Sequence, residues 1–343
     1  EPNSIIFTNG DNDTFPLWYL QEVEKIRTDI KVVNLSLLNT PWYIEQLMNE
    51  FPKLDIQFTN SSLIEDIYSI ESDYLISTIE GFSLCSKKFE GVVPWDEIDC
   101  ELLINKDIKF DFKLPSYRKQ VLRIQDYMIL QLIKDLYLKK PIYFAATVSE
   151  NNQVGIGKYL QMEGMTYRLV SEKLPDDLIK GINYKKMKLN LTQASLQDTI
   201  RNIDDYKEAL TKGEGIYRYN NLNNSEIFFS DNIKRLVQNY RIGYLRMMQH
   251  QLSRNNIKEI KLLIKQLNSY FPNDILPIDP WLGFEIMDKI YKPLGDLNNQ
   301  KLLLMHLISS NSDVNVKLIC VIRALELGHY DLVKTLINDY ILK

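Results

Sequence analysis

The hydrophobic pattern changes character along this chain. Short β-branched runs set among turn residues and amphipathic stretches come first, and helical spacing alone comes last. Ser4-Ile5-Ile6-Phe7-Thr8 is an apolar run suited to a buried parallel strand, and Asn9-Gly10-Asp11-Asn12-Asp13 is turn chemistry. From Thr14 to about Arg27 the spacing predicts a helix with Leu17, Leu20, Val23 and Ile26 on one face and Pro16 in its first turn. Lys31-Val32-Val33-Asn34-Leu35 reads as a second strand. Strand, helix and strand within about 35 residues form a βαβ unit, which requires a parallel sheet and a right-handed crossover. Thr40 as cap and Pro41 as first residue then open a helix from Trp42 to about Phe51.

Residues from about 53 to 115 alternate short apolar runs with polar turns and set no clear order. A strong amphipathic helix follows from Tyr117 to about Leu138, its buried face marked by Leu122, Ile129, Leu132, Ile133 and Leu136. Pro141 to Val148 is the clearest buried strand, and Gly157–Leu160 with Met165–Val170 closes an α/β lobe over 1–170. Residues 171–230 are polar and read as a connector with some helix. Over 231–343 the pattern is helical throughout, with Ile257, Ile260, Leu263, Ile264 and Leu267 on one face and Pro272 as a stop. Similar units begin near Asp296 and His329, and a spacing of about 33 to 41 residues suits tetratricopeptide-like hairpins, although a plain helical bundle would show the same faces. The expected architecture is therefore a Rossmann-like lobe with a mostly parallel sheet, followed by an all-α, tetratricopeptide-like tail.

Composition narrows the function more than the fold. A chain of 343 residues is long enough for two units, and 45% hydrophobic with 25% charged residues is ordinary globular usage. The net charge of −4, with signs interspersed, gives no basic surface for nucleic acid. No run of about 18 apolar residues offers a membrane span. With no initiating Met and no signal peptide, the sequence is expected to be a piece of a longer protein. Cys85, Cys100 and Cys320 are too scattered for a zinc site, and buried thiols are expected unless the fold joins Cys85 to Cys100. His250, His306 and His329 all fall in the tail. Ser36, Ser116 and Ser149 therefore have no histidine in the lobe to activate them.

One segment carries chemistry. Gly10, Asp11, Asn12, Asp13, Thr14, Trp18 and Tyr19 follow the first strand at a helix N-terminus, where open parallel sheets bind ligands. Helix N–H groups favour an anionic or hydroxyl-rich ligand, Asp11 and Asp13 admit a divalent cation or sugar hydroxyls, and Trp18 and Tyr19 offer flat faces to a sugar ring. The same residues also suit a turn, a cap and a core. Elsewhere, Gly155-Ile156-Gly157-Lys158 lacks phosphate-loop spacing and reads as turn glycines. Arg118 and Arg123 suit either an anion or a solvated helix face. Glu163-Gly164 with Tyr167-Arg168 suits the rim of a cleft beside the first loop.

The run IIFTNGDNDTFPLWYLQEVEKIRTDIKVVNLSLLNTPWYIEQL from Ile5 to Leu47 resembles the C-terminal part of a bacterial multi-span membrane family that is glycosyltransferase-like and of unknown function. The resemblance resumes over Leu122–Val170 and Tyr217–Tyr240. Eukaryotic relatives look like an endoplasmic-reticulum protein O-mannosyltransferase whose matching loop also begins with Gly-Asp. The resemblance implies a membrane-embedded GT-C-type core using a polyprenyl-phosphate sugar donor, followed by an extracytoplasmic, periplasmic domain with tetratricopeptide-like helices. This chain matches only the second part, and the expected catalytic carboxylate belongs to the membrane core. The implied role is an accessory, acceptor-recognising domain, not catalytic alone, whose partners are its own membrane-embedded domain and a glycan or protein acceptor. A scaffold acting through the helical tail, and a free-standing hydrolase or transferase using a divalent cation at Asp11 and Asp13, are the alternatives.

Overall fold

The structure, a computed structural model, describes residues 1–57, 82–84, 99–113, 123–175, 181–192, 203–212 and 217–338. Two compact units divide the chain, Glu1–Asn183 with Gln197–Gly213, and Tyr184–Leu196 with Glu214–Lys343.

The first unit runs β1 (Ile5–Thr8), α1 (Asp11–Glu22), β2 (Lys31–Asn34), α2 (Pro41–Asn49), β3 (Phe82–Leu84), β4 (Asp99–Leu103), β5 (Lys109–Lys113), α3 (Ile124–Leu136), β6 (Ile142–Ala145), β7 (Leu160–Met162) and β8 (Thr166–Leu169). Its main sheet has the order β2-β1-β6-β8-β7, with β1 parallel to both neighbours and β8 antiparallel to β6 and β7. All four residues of β6 are buried, as expected of a central strand reading Ile-Tyr-Phe-Ala. Alternation then assigns the faces. Ile5, Phe7, Val33 and Phe144 join α2 and α3 in the main core, while Ile6, Val32 and Tyr143 face Leu17 and Leu20 of α1.

A second, antiparallel sheet of order β3-β4-β5 occupies part of the stretch whose order the pattern did not set. Here Lys109-Phe110-Asp111-Phe112-Lys113 alternates exposed and buried as a half-buried strand must. Cys100 is buried in β4, and Cys85 lies outside the described residues.

Helix α1 departs from expectation at both ends. It begins at Asp11 because the Asp13 carboxylate reaches back to the N–H groups of Gly10 (2.8 Å) and Asn9 (3.0 Å), so the expected turn is the helix's first turn. Pro16 therefore sits inside the helix, one turn later than anticipated. The helix stops at Glu22 because Lys25 and Arg27 adopt positive φ, which leaves Val23 61% exposed rather than on a buried face. Helix α2 keeps Pro41 in its first turn. Of the long helix expected from Tyr117, the part from Ile124 on is α3, and 117–122, including Leu122, lie outside the described residues. Gly155 has φ +78°, and a Cβ there would meet the Lys113 carbonyl at 1.9 Å, so this glycine serves a turn and a close backbone approach.

The stretch 171–230 holds α4 (Tyr184–Thr192), which belongs to the second unit, and α5 (Ile203–Lys212), which belongs to the first. The second unit continues with α6 (Asp231–Leu252), α7 (Ile257–Tyr270), α8 (Pro280–Ile286) running into a π turn (Met287–Tyr291), α9 (Leu297–Ser310), α10 (Val314–Glu326) and α11 (Tyr330–Leu336). Ile260, Leu263, Ile264 and Leu267 bury the α7 face that the spacing marked. The turns at Asn255, Gly295 and Gly328 are alike. Each residue has positive φ, and the next N–H bonds to a carbonyl five residues back: Asn256 to Gln251 (3.0 Å), Asp296 to Tyr291 (2.9 Å) and His329 to Ala324 (2.8 Å).

Arg241, 1% exposed on α6, donates to the carbonyls of Phe271 (3.0 Å), Leu276 and Pro277 (3.2 Å) and to Asn273 Oδ1 (3.1 Å), holding the loop after α7. Burial pulls its pKa down to about 10. On the same unit, Glu259 of α7 accepts from Tyr184 Oη (2.9 Å) and pairs with Lys188 Nζ (2.8 Å) on α4. Burial alone would raise the Glu259 carboxyl, but these partners outweigh it and hold the pKa below the usual value. A depressed carboxylate contributes stability above its unfolded pKa and loses it as pH falls through the folded one. Glu259→Gln is expected to cost about 1 kcal/mol at neutral pH, and this difference should shrink in urea melts as the pH falls through the depressed folded pKa of the carboxyl. A difference that persists unchanged in acid would refute the ion-pair origin.

Candidate functional site

Because β1, β2 and β6 run in parallel, their carboxyl ends share one edge of the sheet. Strand β1 leads through α1 to β2 on one side, while β6 on its other side follows α3, so the β1 exit is where connections diverge to opposite faces. The Gly10–Tyr19 segment lies at this point.

Its residues divide by direction. Thr14 is fully buried, with its hydroxyl 2.7 Å from Thr8 Oγ1 and accepting from Asn34 Nδ2 at 2.9 Å. Asn34 Oδ1 in turn accepts the Leu37 N–H (3.0 Å), and the Tyr43 hydroxyl accepts the Asn34 N–H (3.0 Å) at the open edge of β2. Burial pushes the Tyr43 hydroxyl up to about 12. Asp13, besides its two backbone partners, accepts from Thr147 Oγ1 (2.5 Å) after β6. Gly10 is the N-cap in extended conformation. Asp11 and Asn12 face solvent. Trp18 is half-buried against the core, 5.7 Å from Phe15 and 6.5 Å from Tyr43 between ring centres. Tyr19 is 55% exposed and donates to Glu24 (3.1 Å), a bond that holds its hydroxyl pKa above the usual value. The segment thus sends Asp13 and Thr14 inward and Asp11, Asn12 and Tyr19 outward.

Residues beyond the segment complete the edge. Asn9 Oδ1 accepts from Asn152 Nδ2 (2.8 Å), the Asn9 carbonyl accepts from Ser36 Oγ (3.1 Å), and Asn152 Oδ1 accepts from Arg123 (2.8 Å). Arg123 also pairs with fully buried Asp126 at 2.9 Å. Burial raises the Asp126 carboxyl against the pull of that guanidinium. Arg123 is therefore neither an anion ligand nor a solvated surface residue but the N-cap of α3, committed to Asp126 and Asn152. Arg118 and Ser116 lie outside the described residues. The turn at Glu163-Gly164 reaches the same edge beside β6, yet the Glu163 carboxylate is buried and accepts from Asn183 Nδ2 (3.2 Å). Sequence reasoning missed Asn9, Asn152 and Arg123 as partners, since residues 29 and 143 positions apart leave no local spacing. Among the described residues no group of three or more His, Cys, Asp or Glu side chains is placed to hold a metal ion, and no helix is long and apolar enough to cross a membrane.

Fold and edge together define a mixed α/β lobe followed by a helical region. The chain belongs to the TMEM260-associated domain 2 family, whose profile matches residues 1–89 and 98–191. The match covers the α/β lobe and ends within α4. No curated protein and no solved structure matches the chain.

The two directions predict different mutant behaviour. Thr14→Val keeps the shape but takes away the acceptor of the Asn34 amide and one of the two partners of the Thr8 hydroxyl, and is expected to cost about 1–3 kcal/mol in urea unfolding. Asp11→Ala, on the exposed side of the same turn, should stay within about 0.5 kcal/mol of wild type. Equal effects of the two would contradict the division.

Proposed function

We propose that this chain is the acceptor-recognising accessory domain of a membrane glycosyltransferase-like protein. It works at the extracytoplasmic, periplasmic face beside its own membrane-embedded domain and is not catalytic alone. The reading draws on the O-mannosyltransferase-like character of TMEM260, with which the family is associated. The observation that carries it is the outward pair Asp11 and Asn12 at the carboxyl edge of the parallel strands, beside exposed Phe15 and Tyr19. An exposed carboxylate accepts from hydroxyls, an exposed amide both accepts and donates, and the rings supply apolar faces. The two carboxylates of the first turn offset the positive helix end, which favours a hydroxyl-rich acceptor over an anion.

Asp13 is structural, so the informative variant is Asp11→Ala with Asn12→Ala. Acceptor-peptide binding by this variant should weaken about tenfold, the equivalent of one to two lost hydrogen bonds. Undiminished binding, together with undiminished sugar transfer by the whole parent protein, would remove the recognition role.

A second reading, a scaffold acting through the helical tail, has its own support. Val314, Leu318, Ile322 and Leu325 form a stripe along α10, with Leu302 and Met305 on α9, all between 43% and 60% exposed. Leu318→Glu with Ile322→Glu should abolish association with the parent's membrane-embedded part while leaving acceptor binding intact. Unchanged association would dispose of this reading.

A further inference from the structure

Beside the lip, α1 and α2 flank a cleft of about 630 Å³ over the open edge of β2, a volume within the range of small-ligand sites (about 300–1,000 Å³). The two helices line it with the same chemistry at helical spacing. From α1 come Trp18 and, one turn on, Glu22; from α2 and its C-cap come Trp42, Gln46 and Glu50, at i, i+4 and i+8. Trp42 is 55% exposed and held edge-on to Tyr43 with ring centres 5.6 Å apart, so one large ring face stays available on a fixed support. Gln46 donates to Glu50 at 2.7 Å, which orients a planar amide and a carboxylate side by side within reach of that ring. Charge is balanced. Glu22 and Glu50 are offset by Lys25 and Lys31, and Lys31 Nζ donates to the Glu50 carbonyl at 3.2 Å.

Each feature restricts the occupant. Balanced charge gives no net attraction for a phosphate or for a polycation. Two tryptophans with planar amide and carboxylate groups suit a ligand with apolar ring faces and equatorial hydroxyls that both donate and accept. We infer that the α1–α2 cleft is a binding site for a neutral saccharide, stacked on Trp42 and hydrogen-bonded by Gln46 and Glu50. This goes beyond the recognition reading: it names a class of ligand and places it at the β2 edge rather than at Asp11 and Asn12.

Saturation-transfer NMR on the full chain with cellobiose, maltose, α-mannobiose and chitobiose at millimolar concentration tests it. At least one of them is expected to bind, and Trp42→Ala and Gln46→Ala should each weaken it about tenfold, the typical effect of losing one stacking face or a bidentate group. Asp11→Ala with Asn12→Ala should leave disaccharide affinity within about twofold, because the lip lies apart from the stacking ring. Trp42 is more than half exposed, so its variant should unfold with the wild-type profile. Absence of signal from all four sugars overturns the cleft. So does binding that survives both cleft variants, or a Trp42-dependent response to a decaproline peptide in place of sugars. Sugar binding lost at Asp11 and Asn12 yet retained at Trp42 would also overturn the cleft while leaving acceptor recognition at the lip standing. The converse pattern, together with unaffected acceptor-peptide binding, would do the opposite.

Discussion

The first unit depends on one buried knot of hydroxyls and amide. Thr8 ends β1, Thr14 lies in the first turn of α1, and Asn34 ends β2; all three are inside, each with a partner among the others. In a low-dielectric interior such groups carry a heavy cost unless every valence is met, so the three elements can assemble in only one relative position. Asn34 extends the constraint to α2 through the Tyr43 hydroxyl, and Asp13 extends it to the loop after β6 through Thr147. The lip of the sheet is held rigid by what lies beneath it.

That rigidity explains how neighbouring acidic residues acquire different fates. Asp13 is consumed by two backbone N–H groups and a hydroxyl, whereas Asp11, two positions earlier and on the other side of the helix start, faces water. The same division recurs across the edge. Arg123, Asn152 and Asn9 form a closed relay from a buried carboxylate to the β1 exit, leaving solvent-facing chemistry to a few side chains. The paired tryptophan, amide and carboxylate positions of α1 and α2 gain meaning only because both helices border the same open strand edge.

The second unit uses a different economy. Repeated left-handed turns at Asn255, Gly295 and Gly328 close its helical hairpins with local hydrogen bonds. The loop after α7 lacks such closure and takes its order from Arg241, a cation whose described partners are neutral oxygens. Removing it would leave several buried carbonyls without donors, a cost that a surface arginine never carries.

Much of this was open to reading from residues alone. Period-two and period-3.6 spacing are properties of a few consecutive positions, so β1, β2, β6, the α7 face and the helix starts near Asp296 and His329 follow from local order. The extent of α1 did not, because a carboxylate reaching back to Asn9 and two positive-φ residues outweighed a smooth apolar spacing. Nor could spacing tell that Asp13 points inward and Asp11 outward, that Arg123 caps α3 beside Asn152, or that Trp18 and Trp42 share a cleft. Those facts depend on sheet order and register, which bring together segments separated by tens to more than a hundred residues. Local sequence sets the elements through short-range sterics and hydrogen bonding; only their packing decides which polar groups find partners inside and which are left to meet a ligand.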